Sequence, residues 1–270
     1  MFTLGSDAEV PLVDLNGRYR SAIGLIGGSK ESPRKTEHGF VQEDNVLAEF
    51  NVNPARTEAE FIENTLLILS DLSEIIRPLN LDINIKASAL FEPDQLQHEL
   101  ALLAGCDPDY DAWELRENNP PSLDGTNLRS CGGHLHIGFD RAKNDMMARP
   151  HLVRILDLVA GVPSIIIDKD KDRRKLYGKA GAHRPKMIEA GDPYDGVEYR
   201  TLSNFWLTSK DTIGWAFRAV DRAVRNFDEL LEATNEFGTT IVKTINTADQ
   251  GLAEKLIEKF DLEVVNARIL

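Results

Sequence analysis

The chain has 270 residues, with 44 Asp and Glu against 31 Lys and Arg, and a formal net charge of −13. That surplus argues against a general nucleic-acid binder, because phosphate contacts need cations in excess. Solubility, or carboxylates gathered around cations, accounts for it. Two cysteines, Cys106 and Cys131, are too few for a disulfide framework.

The first residues read as an ordered strand rather than a signal peptide. No apolar run approaches the roughly 20 residues of a membrane span. The expected compartment is therefore a reducing cytoplasm, with no membrane partner.

In chain order, residues 2–13 alternate loosely and carry Gly5-Ser6-Asp7-Ala8-Glu9-Val10. In a strand, residues i and i+2 share a face, so Asp7 and Glu9 project together. They form either the polar face of an edge strand or an acid pair that needs a cation, since unpaired buried carboxylates are costly. Residues 21–28 read as a second short strand. Its turn, Gly27-Gly28-Ser29-Lys30, lacks the Walker spacing of a phosphate loop. Residues 39–53 read as a hairpin that places Asp44 and Glu49 among apolar strand residues.

Thr57-Glu58-Ala59-Glu60 opens a helix as a capping box, with Phe61, Thr65, Leu69, Leu72, Ile76 and Leu79 as its core stripe. That helix should end near Pro78. Residues 81–91 alternate as a strand, and residues 93–104 form a short helix stopped by Gly105. The acidic, aromatic loop from Cys106 to Trp113 either is solvated or lines a substrate mouth.

Residues 129–139 read as a strand that puts His134 and His136 on one face behind Gly132 and Gly133. The imidazoles are either a hydrogen-bonded pair or part of a metal or phosphate site. Cys131, beside the glycines, is weighed as a small buried residue against a catalytic thiol. A helix over residues 150–162 follows. Then comes a basic segment with Arg173, Arg174, Lys179, Arg184 and Lys186 around Gly178 and Gly181. It reads either as a solvated charge run or as a phosphate cradle in an acidic protein. Residues 196–202 form a strand with Glu198 and Arg200 on one face, either as a mutual salt bridge or as site residues. Helices over residues 209–233 and 248–260 complete the chain. With no repeat, low-complexity stretch or linker, one α+β domain spanning 1–270 is expected, with helices on one side of a mostly antiparallel sheet.

Taken together, Asp7/Glu9, Asp44, Glu49, His134/His136 and Glu198/Arg200 would crowd like charges on one sheet face, and cations would stabilise them. An oxygen-rich set with imidazole suits Mg²⁺ or Mn²⁺. Beside an Arg/Lys/Gly segment, such ions describe a nucleoside-triphosphate site.

The ordered motifs resemble the glutamine synthetase and glutamate–cysteine ligase superfamily. They run from the Asp7-x-Glu9 strand through the Asp44…Glu49 hairpin, Gly132-Gly133-His134-Leu135-His136-Ile137-Gly138 and the Arg/Gly segment to Glu198-Tyr199-Arg200. Gly105 to Trp113 and Leu176 to Gly181 narrow the resemblance to its phage-type carboxylate–amine ligase branch. The resemblance implies a curved half-barrel sheet with helices packed on its outer face. It also implies ATP, with two or three Mg²⁺ or Mn²⁺ ions.

By position, the resemblance implies that Glu9, His134 and Glu198 hold one ion and Asp7, Asp44 and Glu49 another. It implies that His136, Arg173, Arg174 and Lys179 meet the nucleotide, and that Arg200, with Arg184, faces the transferring phosphoryl. Asp7 departs from the pattern, which usually has Glu there. The implied substrates are a carboxylate and an amine (amino acid, peptide or protein terminus), and a phage-encoded chain would work in the host cytoplasm. An oligomer is compatible with the sequence. The competing readings are a metal-dependent hydrolase and an inactive scaffold relative.

Overall fold

The computed structural model describes residues 1–102, 108–123 and 125–266. Its strands are β1 (Phe2–Val10), β2 (Leu12–Asp14), β3 (Tyr19–Arg20), β4 (Arg34–Lys35), β5 (Phe40–Asp44), β6 (Leu47–Ala55), β7 (Leu81–Ile83), β8 (Ser88–Leu90), β9 (Tyr110–Asp111), β10 (Arg116–Glu117), β11 (Leu128–Ser130), β12 (Gly133–Phe139), β13 (Ala182–Lys186) and β14 (Gly196–Tyr199). The helices are α1 (Glu58–Ile76), α2 (Ala148–Leu156), α3 (Val162–Ile167), α4 (Lys210–Arg225), α5 (Phe227–Thr247) and α6 (Gln250–Phe260).

The main sheet has nine strands in the order β10-β9-β13-β14-β12-β1-β6-β5-β4. Its pairings are antiparallel. It is an open sheet, so the α+β expectation holds.

The period-2 alternation of the strands divides this sheet into two chemically different faces. Leu4, Ala8 and Val10 of β1, Phe50 and Val52 of β6, Leu135 and Ile137 of β12, and Val197 and Tyr199 of β14 are buried in one hydrophobic core. Helix α1 packs on β6, α4 on β1 and α2 on β14. Burying each such large side chain contributes about 1.5–3 kcal/mol. The alternate residues of the same strands form the polar face on which the candidate site is built.

Local signals explain where α1 and α4 begin. Thr57 caps α1 by accepting the Glu60 N–H at 3.2 Å, and Phe61 in its first turns stacks on Trp206 at 5.6 Å between centroids. Ser209 and Thr212 close a reciprocal capping box at the start of α4.

Several expectations are corrected. Residues 21–28 are turns, because Gly24 and Gly27 take positive φ and donate their N–H groups to the Glu43 carboxylate, each at 2.9 Å. Residues 81–91 divide into β7, which joins β2 and β3 in a small sheet, and β8, which pairs with β11. The helix expected over 93–104 is two 3-10 turns, Pro93–Leu96 and Glu99–Leu102, and its Gly105 stop lies outside the described residues. The strand expected over 129–139 is interrupted between β11 and β12. The helix expected over 209–233 is two helices, parted at Asn226 (φ −104°, ψ 28°). Its apolar stripe continues across the break, so periodicity could not reveal it.

Helix α2 runs through a π turn, Asp157–Gly161, into α3. Contrary to the sequence expectation, Ala148–Ile167 is long and apolar enough to cross a membrane, but its residues are mostly buried inside the protein.

Candidate active site

Register brings the polar strand residues together. Glu9 on β1 is directly opposite Glu49 on β6, which is opposite Gln42 on β5. Asp7 is opposite His134 on β12, while His136 is opposite Glu198 on β14, and Glu198 is opposite Arg184 on β13.

These residues form two adjoining donor groups. Glu9, Asp44 and Glu49 make one, and Asp7, His136 and Glu198 the other; within each, the candidate ligand atoms lie within 4.8 Å of one another. The six expected ion ligands thus share one face, but they divide otherwise than the resemblance implies. Glu9 belongs with the hairpin acids and Asp7 with Glu198. The reason is register: Glu9 sits one step further along β1, against β6, whereas Asp7 faces both imidazoles. His134 Nδ1 is 3.2 Å and His136 Nε2 3.0 Å from Asp7 Oδ1. His134 remains 3.7 Å from Glu198 Oε1.

Backbone and side chains hold the carboxylates from behind. The Gly132 N–H donates to Glu9 Oε2 at 2.7 Å, and Gln42 Nε2 donates to Glu49 Oε1 at 2.7 Å. A Cβ at Gly132 would run into the His134 imidazole, so glycine is needed at this close approach. Burial pushes the Glu9 carboxyl up to about 8, with Asp44 adding to it. Burial also raises Glu49, reinforced by Asp7 and Asp44.

Glu198 behaves oppositely. Burial opposes its ionisation most strongly, but the Arg200 guanidinium together with the His136 and His134 imidazoles outweighs it, and the carboxyl falls to about 2. Arg200 bonds Glu198 directly. Arg184 Nη1 stands 3.5 Å and Lys186 Nζ 3.3 Å from the same carboxylate. The mutual Glu198–Arg200 salt bridge is therefore present, inside a larger charge cluster. Arg200 Nε also lies 3.4 Å from Asp109 Oδ2.

The donor chemistry fits hard divalent cations: five carboxylates and imidazole, with like charges crowded out of water. The buried His136 Nε2 points the same way, because it has no aligned hydrogen-bond partner despite its closeness to Asp7. A cavity of about 300 Å³ opens over this face, lined among others by Asp7, Glu9, Asp44, Glu49, His134 and Arg200.

The basic segment divides. Arg184 and Arg173 both line the cavity. The Arg173 guanidinium, however, is spent on the carbonyls of Cys131, Thr201 and Arg200 at 2.9–3.2 Å. Arg174 turns to the Ser164 hydroxyl at 3.3 Å on α3. Lys179 is exposed and is not among the residues lining the cavity. Gly178 and Gly181 have a structural reason: a Cβ at Gly178 would collide with the Arg173 guanidinium, and one at Gly181 with Asp111 and Trp113. Of the cations expected to form a phosphate cradle over residues 173–186, the strand residues Arg184 and Lys186 are the ones that stand against Glu198.

In the expected mouth loop, Cys106 and Asp107 lie outside the described residues. Tyr110 to Trp113 instead form β9 and a turn tied to the π turn after α2 through the Trp113 Nε1–Asp157 bond of 2.7 Å. Cys131 is buried, and burial raises its thiol well above the ordinary range. That suits a packed residue, not a nucleophile.

Sequence reasoning left Gln42, Asp109 and Tyr194 outside the candidate set, and named Lys186 only with the basic segment. Period 2 from Asp44 could have found Gln42. Asp109 and Tyr194 sit in irregular segments that carry no periodic signal.

No curated protein matches the chain. A crystal structure described as a novel glutamine synthase homolog aligns with a TM-score of 0.40 and 11% identity, over 96% of this chain and 67% of that one. The family model for phage phiEco32-like COOH.NH2 ligase-type 2 matches residues 126–261, the half that holds both histidines, Arg184, Glu198 and Arg200. The chain belongs to that carboxylate–amine ligase family.

Proposed function

We propose that residues 1–270 form an ATP-dependent carboxylate–amine ligase that works through an acyl phosphate. The observation that carries this reading is the pair of adjoining donor groups, Glu9/Asp44/Glu49 and Asp7/His136/Glu198, beside Arg200, Arg184 and Lys186.

In this reading, the two groups and His134 hold divalent ions, which neutralise triphosphate charge when bound. Arg200 and Arg184 stabilise the phosphoryl group as it leaves ADP and bonds to a substrate carboxylate oxygen. The substrate amine nitrogen then bonds to the acyl carbon as the carbon–oxygen bond to phosphate breaks. This gives amide, ADP and phosphate, and the amine releases a proton. No protein nucleophile is required, in keeping with the buried Cys131. Arg173 and Arg174 support the site by fixing the chain around Cys131, Thr201 and Ser164.

The test is incubation with ATP, Mg²⁺ and pools of amino acids and peptides, following ADP and new product masses. ADP release that requires both a carboxylate and an amine is the expected result. Bond cleavage without ATP would replace the reading with a hydrolase, and nucleotide binding without turnover with a scaffold.

A further inference from the structure

Tyr194, in the loop before β14, is absorbed by nothing described so far. Its ring lies 6.1 Å from that of His136 between centroids, on the polar side of the sheet. Gly138 makes space for it: a Cβ there would lie 3.4 Å from Tyr194 Cδ2 and 2.8 Å from Thr3 Oγ1. The phenolic oxygen is buried and has no hydrogen-bond partner. Leaving a buried hydroxyl unpaired is costly. Packing alone would be served as well by phenylalanine.

The surroundings define what the hydroxyl would meet. Burial raises the phenol far above its ordinary value, and Glu198, Asp7 and Asp192 raise it further, so at neutral pH it is a donor. These three are the acids around it, and none takes its proton in a hydrogen bond. Lys186 stands beside the same place, 3.3 Å from Glu198 Oε2 and 3.7 Å from Asp192 Oδ1. An unpartnered O–H on a ring beside His136, with an ammonium beside Glu198, suits an oxyanion that arrives with its own cation.

We propose that Tyr194 is a nucleotide-binding residue, its phenolic O–H donating to a phosphoryl oxygen held at the Asp7, His136 and Glu198 wall. This deepens the ligase reading and rests on it.

The decisive variant is Tyr194→Phe, which keeps the ring against His136 and removes only the hydroxyl. Thermal melting without nucleotide and calorimetric binding of Mg-ATP are measured on wild type and variant. The expected result is an unchanged or higher Tm with roughly tenfold weaker Mg-ATP binding, the size of one lost hydrogen bond to a charged group. A structural tyrosine would show the reverse, a lower Tm with unchanged binding, and that result overturns the proposal. Equal binding at equal Tm also overturns it. Wild-type protein that binds no Mg-ATP would remove the ligase reading itself, and this assignment with it.

Discussion

Glu9 and Gly132 are joined by a 2.7 Å hydrogen bond from the glycine N–H to Glu9 Oε2. The same glycine lacks the Cβ that would strike His134. One backbone position thus anchors a carboxylate of one donor group and makes room for the His134 imidazole, which faces Asp7 of the other.

Gly132→Ala tests that coupling. The added methyl must displace the His134 ring or the backbone behind Glu9, and overpacking of this kind costs about 1–3 kcal/mol. The expected outcome is a Tm lower by several degrees and weaker Mn²⁺ binding, measured by titration calorimetry. Wild-type Mn²⁺ affinity in the variant would show that the two donor groups do not depend on this close approach.

How much of the site was legible follows from its periodicity. Asp7/Glu9, His134/His136 and Glu198 lie on strands, where spacing alone assigns a face, and the sequence could be read correctly to that point. Partnership between strands was not legible. It depends on register, and register decides that Glu9 meets Glu49 while Asp7 meets the imidazoles. For Arg173 and Arg174, charge says nothing about direction: the Arg173 guanidinium, although it lines the cavity, bonds three carbonyls, and Arg174 turns to Ser164. Tyr194 was invisible because its loop has no repeat to read.

Glu198 carries a second prediction. From sequence alone, Glu198→Ala is expected to abolish activity and leave the fold intact. The structure revises the second half, because Arg200, Arg184 and Lys186 all rest on this buried carboxylate. Removing one partner of a buried charge pair costs about 3–5 kcal/mol. Glu198→Gln, which keeps the shape and loses the charge, is expected to lower turnover at least a hundredfold and to lower Tm measurably. Turnover within a few fold of wild type would exclude Glu198 from the reaction.

Asp157 gives a pH dependence remote from the site. Its carboxylate accepts from Trp113 Nε1, the Gly181 N–H, the Tyr199 hydroxyl and Thr201 Oγ1 at 2.6–3.1 Å. Burial still pushes it up from 3.8 to about 7, against those hydrogen bonds. The folded pKa is above the unfolded one, so the folded state holds this proton more tightly. The stability it contributes is fully present below about pH 4 and is lost as pH rises through about 7, at up to about 1.4 kcal/mol per unit. Asp157→Asn cannot accept from all four donors and should melt lower, with a flatter slope of stability over that range. Parallel pH–stability curves for variant and wild type would show that Asp157 does not titrate there.

Arg173 and Arg184 separate support from chemistry within one basic segment. Arg173 is 2% exposed and satisfies three carbonyls, one of them that of Arg200. Lysine there can replace neither the fork geometry nor the three directions at once. Arg173→Lys should therefore lower Tm by several degrees, since each buried carbonyl left unpaired costs about 1–3 kcal/mol. Arg184 stands at the mouth of the cavity against Glu198. Arg184→Lys should hold Tm near wild type while reducing turnover by about tenfold or more, because a point charge cannot make the paired contacts of a guanidinium to a phosphoryl group. Melting curves and ADP release measured on both variants decide the matter: if Arg173→Lys loses only turnover and Arg184→Lys only stability, the roles assigned to the two arginines must be exchanged.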